Sequence, residues 1–413
     1  MQTNLADFIR DSAQGQEAEA ILRSCVHCGF CNATCPTYQL LGDELDGPRG
    51  RIYLIKQMLE GQPVGAVTRL HLDRCLSCRN CETTCPSGVQ YGRLIDIGRD
   101  VVEQLSPRPA GERLLRVGLR KGLQSPALFG AMLKLGQSVR GLLPPALRQH
   151  LPPTAHNAAG GVGRRAPNDK TMGRRMLVLE GCVQPGLAPE INAAAARVLA
   201  RLGIGLFSAP EAGCCGAIDQ HLAAPEAAKA AMRRNIDAWW PHLENNIEAI
   251  VMTASGCGST VKEYGHHLRH DPAYADKAAR VSALTRDLAE VLRDEDLSSL
   301  NLKPPPAVKS KRIAFHPPCS LQHGQKLRGV IENILTRAGY ELLPVDEAHL
   351  CCGSAGTYSI LQPELSGQLR ARKLANLQAR EPELIASANI GCQSHLAAAS
   401  AVPVVHWITL LDR

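Results

Sequence analysis

Sixteen cysteines arranged as four sets of four constrain this chain more than any other feature. Two sets share one internal spacing, Cys25-x-x-Cys28-x-x-Cys31-x-x-x-Cys35-Pro36 and Cys75-x-x-Cys78-x-x-Cys81-x-x-x-Cys85-Pro86. The other two are Cys182, Cys214, Cys215, Cys257 and Cys319, Cys351, Cys352, Cys392. In both of these a Cys-Cys-Gly tripeptide follows the first cysteine at the same interval, so the second half of the chain is a duplication organised around thiols.

The first two sets have the bacterial ferredoxin spacing for a 4Fe–4S cluster. Three thiolates on a short loop wrap three irons, and the fourth cysteine of such a run ligates the other cluster when two are present. This predicts Cys25, Cys28, Cys31 and Cys85 around a first cluster, and Cys75, Cys78, Cys81 and Cys35 around a second. Structural zinc is the alternative, but zinc sites present paired C-x-x-C knuckles and not triplets followed by Cys-Pro. For Cys182, Cys214, Cys215 and Cys257, and for Cys319, Cys351, Cys352 and Cys392, the longer separations leave zinc and packed free thiols open. The repeated interval favours one or two further iron–sulfur clusters there.

At 413 residues the chain has room for two or three domains with cores of their own, and no disulfide is needed. The N-terminal stretch lacks the apolar core of a signal peptide and no run of about 20 apolar residues follows, which predicts a reducing, cytoplasmic setting. The expected organisation is multi-domain α/β. A helical two-cluster ferredoxin-type domain (1–104) leads to a basic amphipathic segment (105–155) and a linker (156–175). A tandem pair of α/β Cys-Cys-Gly domains (176–300 and 301–413) completes the chain.

Between the ferredoxin motifs, Ile52, Ile55, Met58 and Leu59 recur at helical spacing after the Gly47-Pro48 turn. Ile21, Leu22, Leu94, Ile95 and Ile97 are expected to pack against that helix. In 105–155, eight cations (Arg108, Arg113, Arg116, Arg120, Lys121, Lys134, Arg140 and Arg148) face the single acid Glu112. Their net +7 equals the formal charge of the whole chain. Leucines threaded among them suit either a helix on an anionic membrane or a partner, or a cover for the cluster domain with its arginines in water. Nucleic-acid binding is not indicated: aromatic residues are only 4% of the chain and no nucleic-acid motif occurs.

In the repeat, apolar runs alternate with helical patterns in the same order twice: MLVLEGC, PEINAAAARVLARLG, IGLFSA and AIVMTASGC, then RIAFHPPC, VIENILTRAG, YELLPV and ELIASANIGC. Strands alternating with helices predict parallel sheets, with Cys182, Cys257, Cys319 and Cys392 at their carboxyl ends, where such sheets bind ligands.

Two ferredoxin motifs, a Gly47-Pro48-Arg49-Gly50-Arg51 connector and two Cys-Cys-Gly domains together resemble the iron–sulfur subunits of glycolate oxidase. The wider superfamily includes iron–sulfur subunits of anaerobic glycerol-3-phosphate dehydrogenase, lactate-utilisation proteins and heterodisulfide reductase. The resemblance implies an electron-transfer subunit in a hetero-oligomer whose FAD-containing partner chains oxidise glycolate to glyoxylate. It also implies electron delivery towards the quinone pool, at the cytoplasmic face of the inner membrane. The alternatives are a related glycerol-3-phosphate or lactate dehydrogenase, or a thiol–disulfide reductase subunit. No dinucleotide fingerprint lies between a strand and a helix, in keeping with a flavin on another chain, and no catalytic acid–base set is present.

Heterodisulfide reductase relatives carry a fifth cysteine three residues beyond the last. Here those positions are Thr260 and His395, which makes His395 a candidate additional ligand in the second repeat. His27, His316 and His349 are candidate hydrogen-bond donors to cluster sulfurs. Trp239 and Trp240 read as core or interface anchors, and Arg49 and Arg51 as either cluster-charge partners or surface residues.

Overall fold

The computed structural model describes residues 1–142, 173–300 and 312–412. Residues 156–172 of the expected linker and the part of the basic segment beyond residue 142, with Arg148, lie outside the described residues, while Arg174 and Arg175, expected to end the linker, already belong to the strand Arg174–Val178. The chain forms two compact units: residues 1–120 with 218–225 and 349–370, and residues 121–217 with 226–348 and 371–413.

The first unit is helical. Helices Ala13–Ser24, Pro48–Leu59, Ala66–Asp73 and Tyr91–Leu105 surround a core of Ile21, Leu22, Ile52, Ile55, Met58, Leu59, Leu72, Leu94 and Ile95. Local signals set their starts. The Ser12 side chain accepts from the Gly15 amide, and Pro36 and Pro48 open their helices at the first turn, where the missing N–H costs nothing. Cys25, Cys75 and Cys81 belong to the same core, so the cluster motifs are rooted in it.

The helix Ala110–Gln124 reverses the orientation expected for a cover. Arg108 and Arg116 turn inward onto Asp73, and Arg120 onto Asp219. Leu114 and Leu115 are instead 73% and 51% exposed. The physical reason is that Asp73 is mostly buried and needs compensating charge, which the arginines supply, so that its carboxyl stays below the usual range.

The second unit contains two four-stranded parallel sheets. The first has the order β2-β1-β3-β4, from β1 (Arg174–Val178), β2 (Ile204–Phe207), β3 (Ala249–Met252) and β4 (Thr285–Asp287). The second has the same order, β6-β5-β7-β8, from β5 (Arg312–His316), β6 (Glu341–Leu343), β7 (Leu384–Ser387) and β8 (Val404–His406). Met176 pairs with Leu206 on one side and Ala249 on the other. Burial on both faces explains the near-continuous apolar runs: Met176, Val178 and Val251 enter one core, Leu177, Ile250 and Met252 another.

One hydrophobic core runs across both sheets, from Met176 and Val251 to Ile313, Phe315 and Trp407. The repeats pack reciprocally. Helix Glu190–Arg201 of the first meets Trp407–Leu410 of the second, while Val330–Arg337 of the second meets Leu288–Arg293 of the first. Ser255 donates its amide to Ala388 O at 3.2 Å, and His406 Nε2 lies 3.0 Å from Thr253 O.

Candidate iron–sulfur centres

Two short loops carry the ferredoxin cysteines, and each is bent by left-handed residues at equivalent positions, His27 and Gly29 in one and Ser77 and Arg79 in the other. Cys25, Cys28, Cys31 and Cys85 line one cavity. Cys35, Cys75, Cys78 and Cys81 line a second, and Cys81 also reaches the wall of the first. The last cysteine of each motif therefore stands with the first three of the other. Burial, then the Cys25, Cys85 and Cys28 sulfurs nearby, drives the Cys31 thiol up to about 11. Burial followed by Cys78, Cys75 and Cys35 pushes Cys81 well above its ordinary value. Thiols crowded into dry pockets resist ionisation until a cation arrives, which inverts that logic; the donor set suits a soft, thiolate-bound metal centre.

A buried ion network supports the second pocket. Arg51, fully buried, donates to His71 O at 2.7 Å and to Thr37 Oγ1 at 3.2 Å, reaches Asp46 Oδ1 at 3.4 Å, and places Nη1 4.0 Å from Cys35 Sγ. Asp46 also receives His71 Nδ1 at 3.0 Å and Arg74 Nη1 at 2.8 Å. Tyr91 Oη donates to Cys75 Sγ at 3.6 Å. Arg49 instead bonds the partly exposed Glu44 at 2.6 Å.

The segment 349–370, which carries the second Cys-Cys-Gly, belongs to this same unit. Asn80, from the second ferredoxin loop, donates to His349 O at 3.2 Å and to Thr34 O at 3.0 Å. Burial raises the Tyr358 phenol, whose charged surroundings are Arg51, Cys75, Cys351 and Asp46. Asn80 and Tyr358 were not legible as site residues, since nothing in their sequence neighbourhoods marks them.

In the second unit the first Cys-Cys-Gly set is a continuous chain of thiols: Cys182 is hydrogen-bonded to Cys214, Cys214 to Cys215, and Cys215 to Cys257. The bond to Cys182 lowers Cys214, but Cys215 and burial outweigh it and carry that thiol up to about 12. Gly216 has φ +93°, and a Cβ there would meet Ala228 O at 3.0 Å, so the tripeptide needs its glycine. Behind the thiols, Asn235 Nδ2 donates to Cys214 O at 3.0 Å and Tyr264 Oη to Cys215 O at 2.9 Å, both side chains fully buried. Sequence reasoning missed this pair as well.

Of the second set, Cys319 and Cys392 lie in the second unit and Cys351 and Cys352 in the first. The Gly353 amide donates to Cys351 Sγ at 3.4 Å, and Asn389 Nδ2 to Cys392 Sγ at 3.5 Å. His395 sits half-buried on helix Ile390–Ala397. His316 ends β5 with 1% exposure, and burial, with Lys373 beside it, depresses its imidazole to about 3. His27 Nε2 lies 3.4 Å from Arg49 O, and His349 is half-buried. Trp239 is fully buried against Tyr264, whereas Trp240 lies under Lys277 and Arg280.

Fold and thiol geometry together define an iron–sulfur electron-transfer protein, built from a ferredoxin-type dicluster domain and a tandem cysteine-rich repeat. Residues 21–89 match the 4Fe-4S dicluster domain family, and residues 176–262 and 313–397 match the cysteine-rich domain family. The chain is 55% identical over its full length to the glycolate oxidase iron-sulfur subunit of Escherichia coli (strain K12), covering 99% of that protein. It is 31% identical to the probable glycolate oxidase iron-sulfur subunit of Bacillus subtilis (strain 168), over 91% of this chain and 88% of that one. Lactate utilization protein A of Bacillus licheniformis matches 51% of the chain at 28% identity. The chain belongs to the family of glycolate oxidase iron–sulfur subunits.

Proposed function

We propose that this chain carries electrons within a flavin-linked glycolate dehydrogenase, from FAD-containing partner subunits that oxidise glycolate to glyoxylate towards the quinone pool. The observation that carries this reading is the crossed grouping of the eight ferredoxin cysteines in two adjoining cavities. Cys25, Cys28, Cys31 and Cys85 would hold one 4Fe–4S cluster, and Cys75, Cys78, Cys81 and Cys35 another. Cys182, Cys214, Cys215 and Cys257 would hold a third centre, and Cys319, Cys351, Cys352 and Cys392 a fourth. Such clusters supply one-electron redox chemistry, which lets a two-electron flavin be emptied in two steps.

The protein's own residues tune and protect that chemistry. Arg51 brings positive charge beside Cys35, and Tyr91 and Asn389 direct hydrogen bonds at cysteine sulfurs, which stabilises the more negative, reduced state. The apolar core around the ferredoxin loops excludes water. Within the first unit Asn80 holds the segment 349–370 to the second ferredoxin loop through His349 O, and the Tyr358 phenol lies in the electrostatic field of both Cys75 and Cys351.

Among the described residues no helix is long and apolar enough to cross a membrane. We place the chain in the cytoplasm, peripheral on the inner membrane, with the exposed Leu114 and Leu115 and not the inward arginines as its contact. Replacing Leu114 and Leu115 by glutamine should lower partitioning of the complex into the membrane fraction, and unchanged partitioning would remove this assignment. The function itself is tested with Cys28→Ser in the assembled complex. Quinone-linked glycolate oxidation should be lost while dye-linked oxidation at the flavin persists; full quinone-linked turnover would reject the relay.

A further inference from the structure

We propose that His316 is a nitrogen ligand to iron in the second-repeat centre, giving that centre mixed cysteine–histidine ligation. The proposal rests on the reading that the second Cys-Cys-Gly set holds an iron–sulfur cluster.

Three observations lead to it. First, His316 is 1% exposed and neither Nδ1 nor Nε2 makes a well-aligned hydrogen bond, the backbone of His316 itself and of Pro317 offering the ring only weak contacts. A buried polar group without a partner is costly and calls for an explanation such as an absent ion. Most buried histidines satisfy at least one nitrogen, as His406 does with Thr253 O at 3.0 Å. Second, a His316 ring nitrogen and Cys392 Sγ lie within 4.8 Å of each other. Iron–nitrogen and iron–sulfur bonds of about 2.0–2.3 Å, taken from comparable metal sites, allow one centre to bind both. Third, β5 ends at His316, and Pro317 and Pro318 separate it from Cys319, so one strand end delivers both donors. Proline fixes φ and stiffens that two-residue spacer.

The first repeat lacks this donor. Counting back from Cys182 as His316 is counted back from Cys319, the equivalent residue is Leu179, which enters the apolar core. The two repeats therefore share a thiol pattern but differ in one ligand. Each cubane iron takes one protein ligand, so with His316 on one iron one of the four thiols of the set is left off the cluster; imidazole in place of that thiolate removes a negative charge from the iron and raises the reduction potential, as in Rieske centres. The second-repeat centre would then attract electrons more strongly than the first, giving the duplicated fold a direction. His395, the candidate named from sequence, is half-buried on helix Ile390–Ala397, and Asn389, the residue before that helix, already serves Cys392.

The test is pulsed EPR on the anaerobically purified full chain, with and without 15N-labelled histidine. A strong 14N coupling that changes with the label should be present in the wild type and survive in His395→Asn. It should be lost in His316→Cys, a variant that offers a thiolate in place of the imidazole and so keeps its iron, with the midpoint potential of that centre shifted downwards. A coupling that persists in His316→Cys, or is missing from a wild type that holds the second-repeat cluster, overturns the proposal. The cluster itself is checked separately with Cys392→Ser. If that variant loses neither iron nor an EPR signal, the second set holds no cluster and both readings fall.

Discussion

Arg51 Nη1 lies 4.0 Å from Cys35 Sγ, in a fully buried position where its countercharge is Asp46. The guanidinium thus joins the ion network of the GPRGR connector to the sulfur of one predicted ligand. Removing Arg51 leaves Asp46 paired with Arg74 at 2.8 Å, so the cost falls below the roughly 3–5 kcal/mol of a buried charge left uncompensated. Arg51→Leu should lower the thermal midpoint by several degrees and make the Cys35 centre harder to reduce. Redox titration followed by EPR checks the second effect, and an unchanged potential would assign Arg51 a purely structural role.

Crossed ligation makes each fourth cysteine report on the other motif. Cys35→Ser should perturb the signal of the Cys75, Cys78, Cys81 centre and leave that of Cys25, Cys28 and Cys31 in place; Cys85→Ser should do the reverse. Relaxation-resolved EPR of the two variants separates the cases. Perturbation confined to each variant's own motif would refute the crossing.

Gly353 has φ +90°, and a Cβ there would lie 2.7 Å from Ser366 O. Left-handed strain costs an alanine roughly 1–2 kcal/mol, and the backbone clash adds to it. Gly353→Ala should displace Cys351 and Cys352, with loss of iron from the second-repeat site and the ferredoxin signals retained. Iron content and EPR lineshape of this variant decide it; wild-type iron would mean that the loop relaxes freely.

Burial depresses the His406 imidazole from 6.5 to about 3. The fold binds the neutral form, so the stability it contributes is complete above pH 6.5 and is lost as the pH falls towards 3. Between pH 6.5 and 5 the loss should approach about 1.4 kcal/mol per pH unit. His406→Asn removes the titration and keeps an acceptor for the Ile408 amide that His406 caps. Melting of both proteins from pH 7.5 to 5 should show the wild type losing ground to the variant. A constant difference would contradict burial of a neutral imidazole.

The ferredoxin motifs were readable because cluster geometry dictates their spacing, and the grouping of each fourth cysteine with the other motif in one cavity followed from its reach along the chain. The helix at Glu190–Arg201 and the inner strands were readable because both sheet faces are buried, which makes their runs almost wholly apolar. The outer strands β4 and β8 escaped notice, being three residues each and partly polar, as in Thr285-Arg286-Asp287. Arg51 stayed ambiguous because burial of a charge depends on Asp46 and His71, which only the folded chain brings together. The orientation of Arg108 and Arg116 was hidden for the same reason, since Asp73 gives no sequence signal of its own burial. Membership of 349–370 in the first unit could not be inferred from a repeat, which predicts only likeness between copies.

Iron, acid-labile sulfide and zinc per chain, measured with EPR on anaerobically purified protein, test the central claim most directly. Four cubanes, one per cysteine set, predict about sixteen iron atoms with matching sulfide and no zinc. About eight iron atoms, with signals from the ferredoxin loops alone or with zinc in the repeat, would contradict it and confine electron transfer to the first unit.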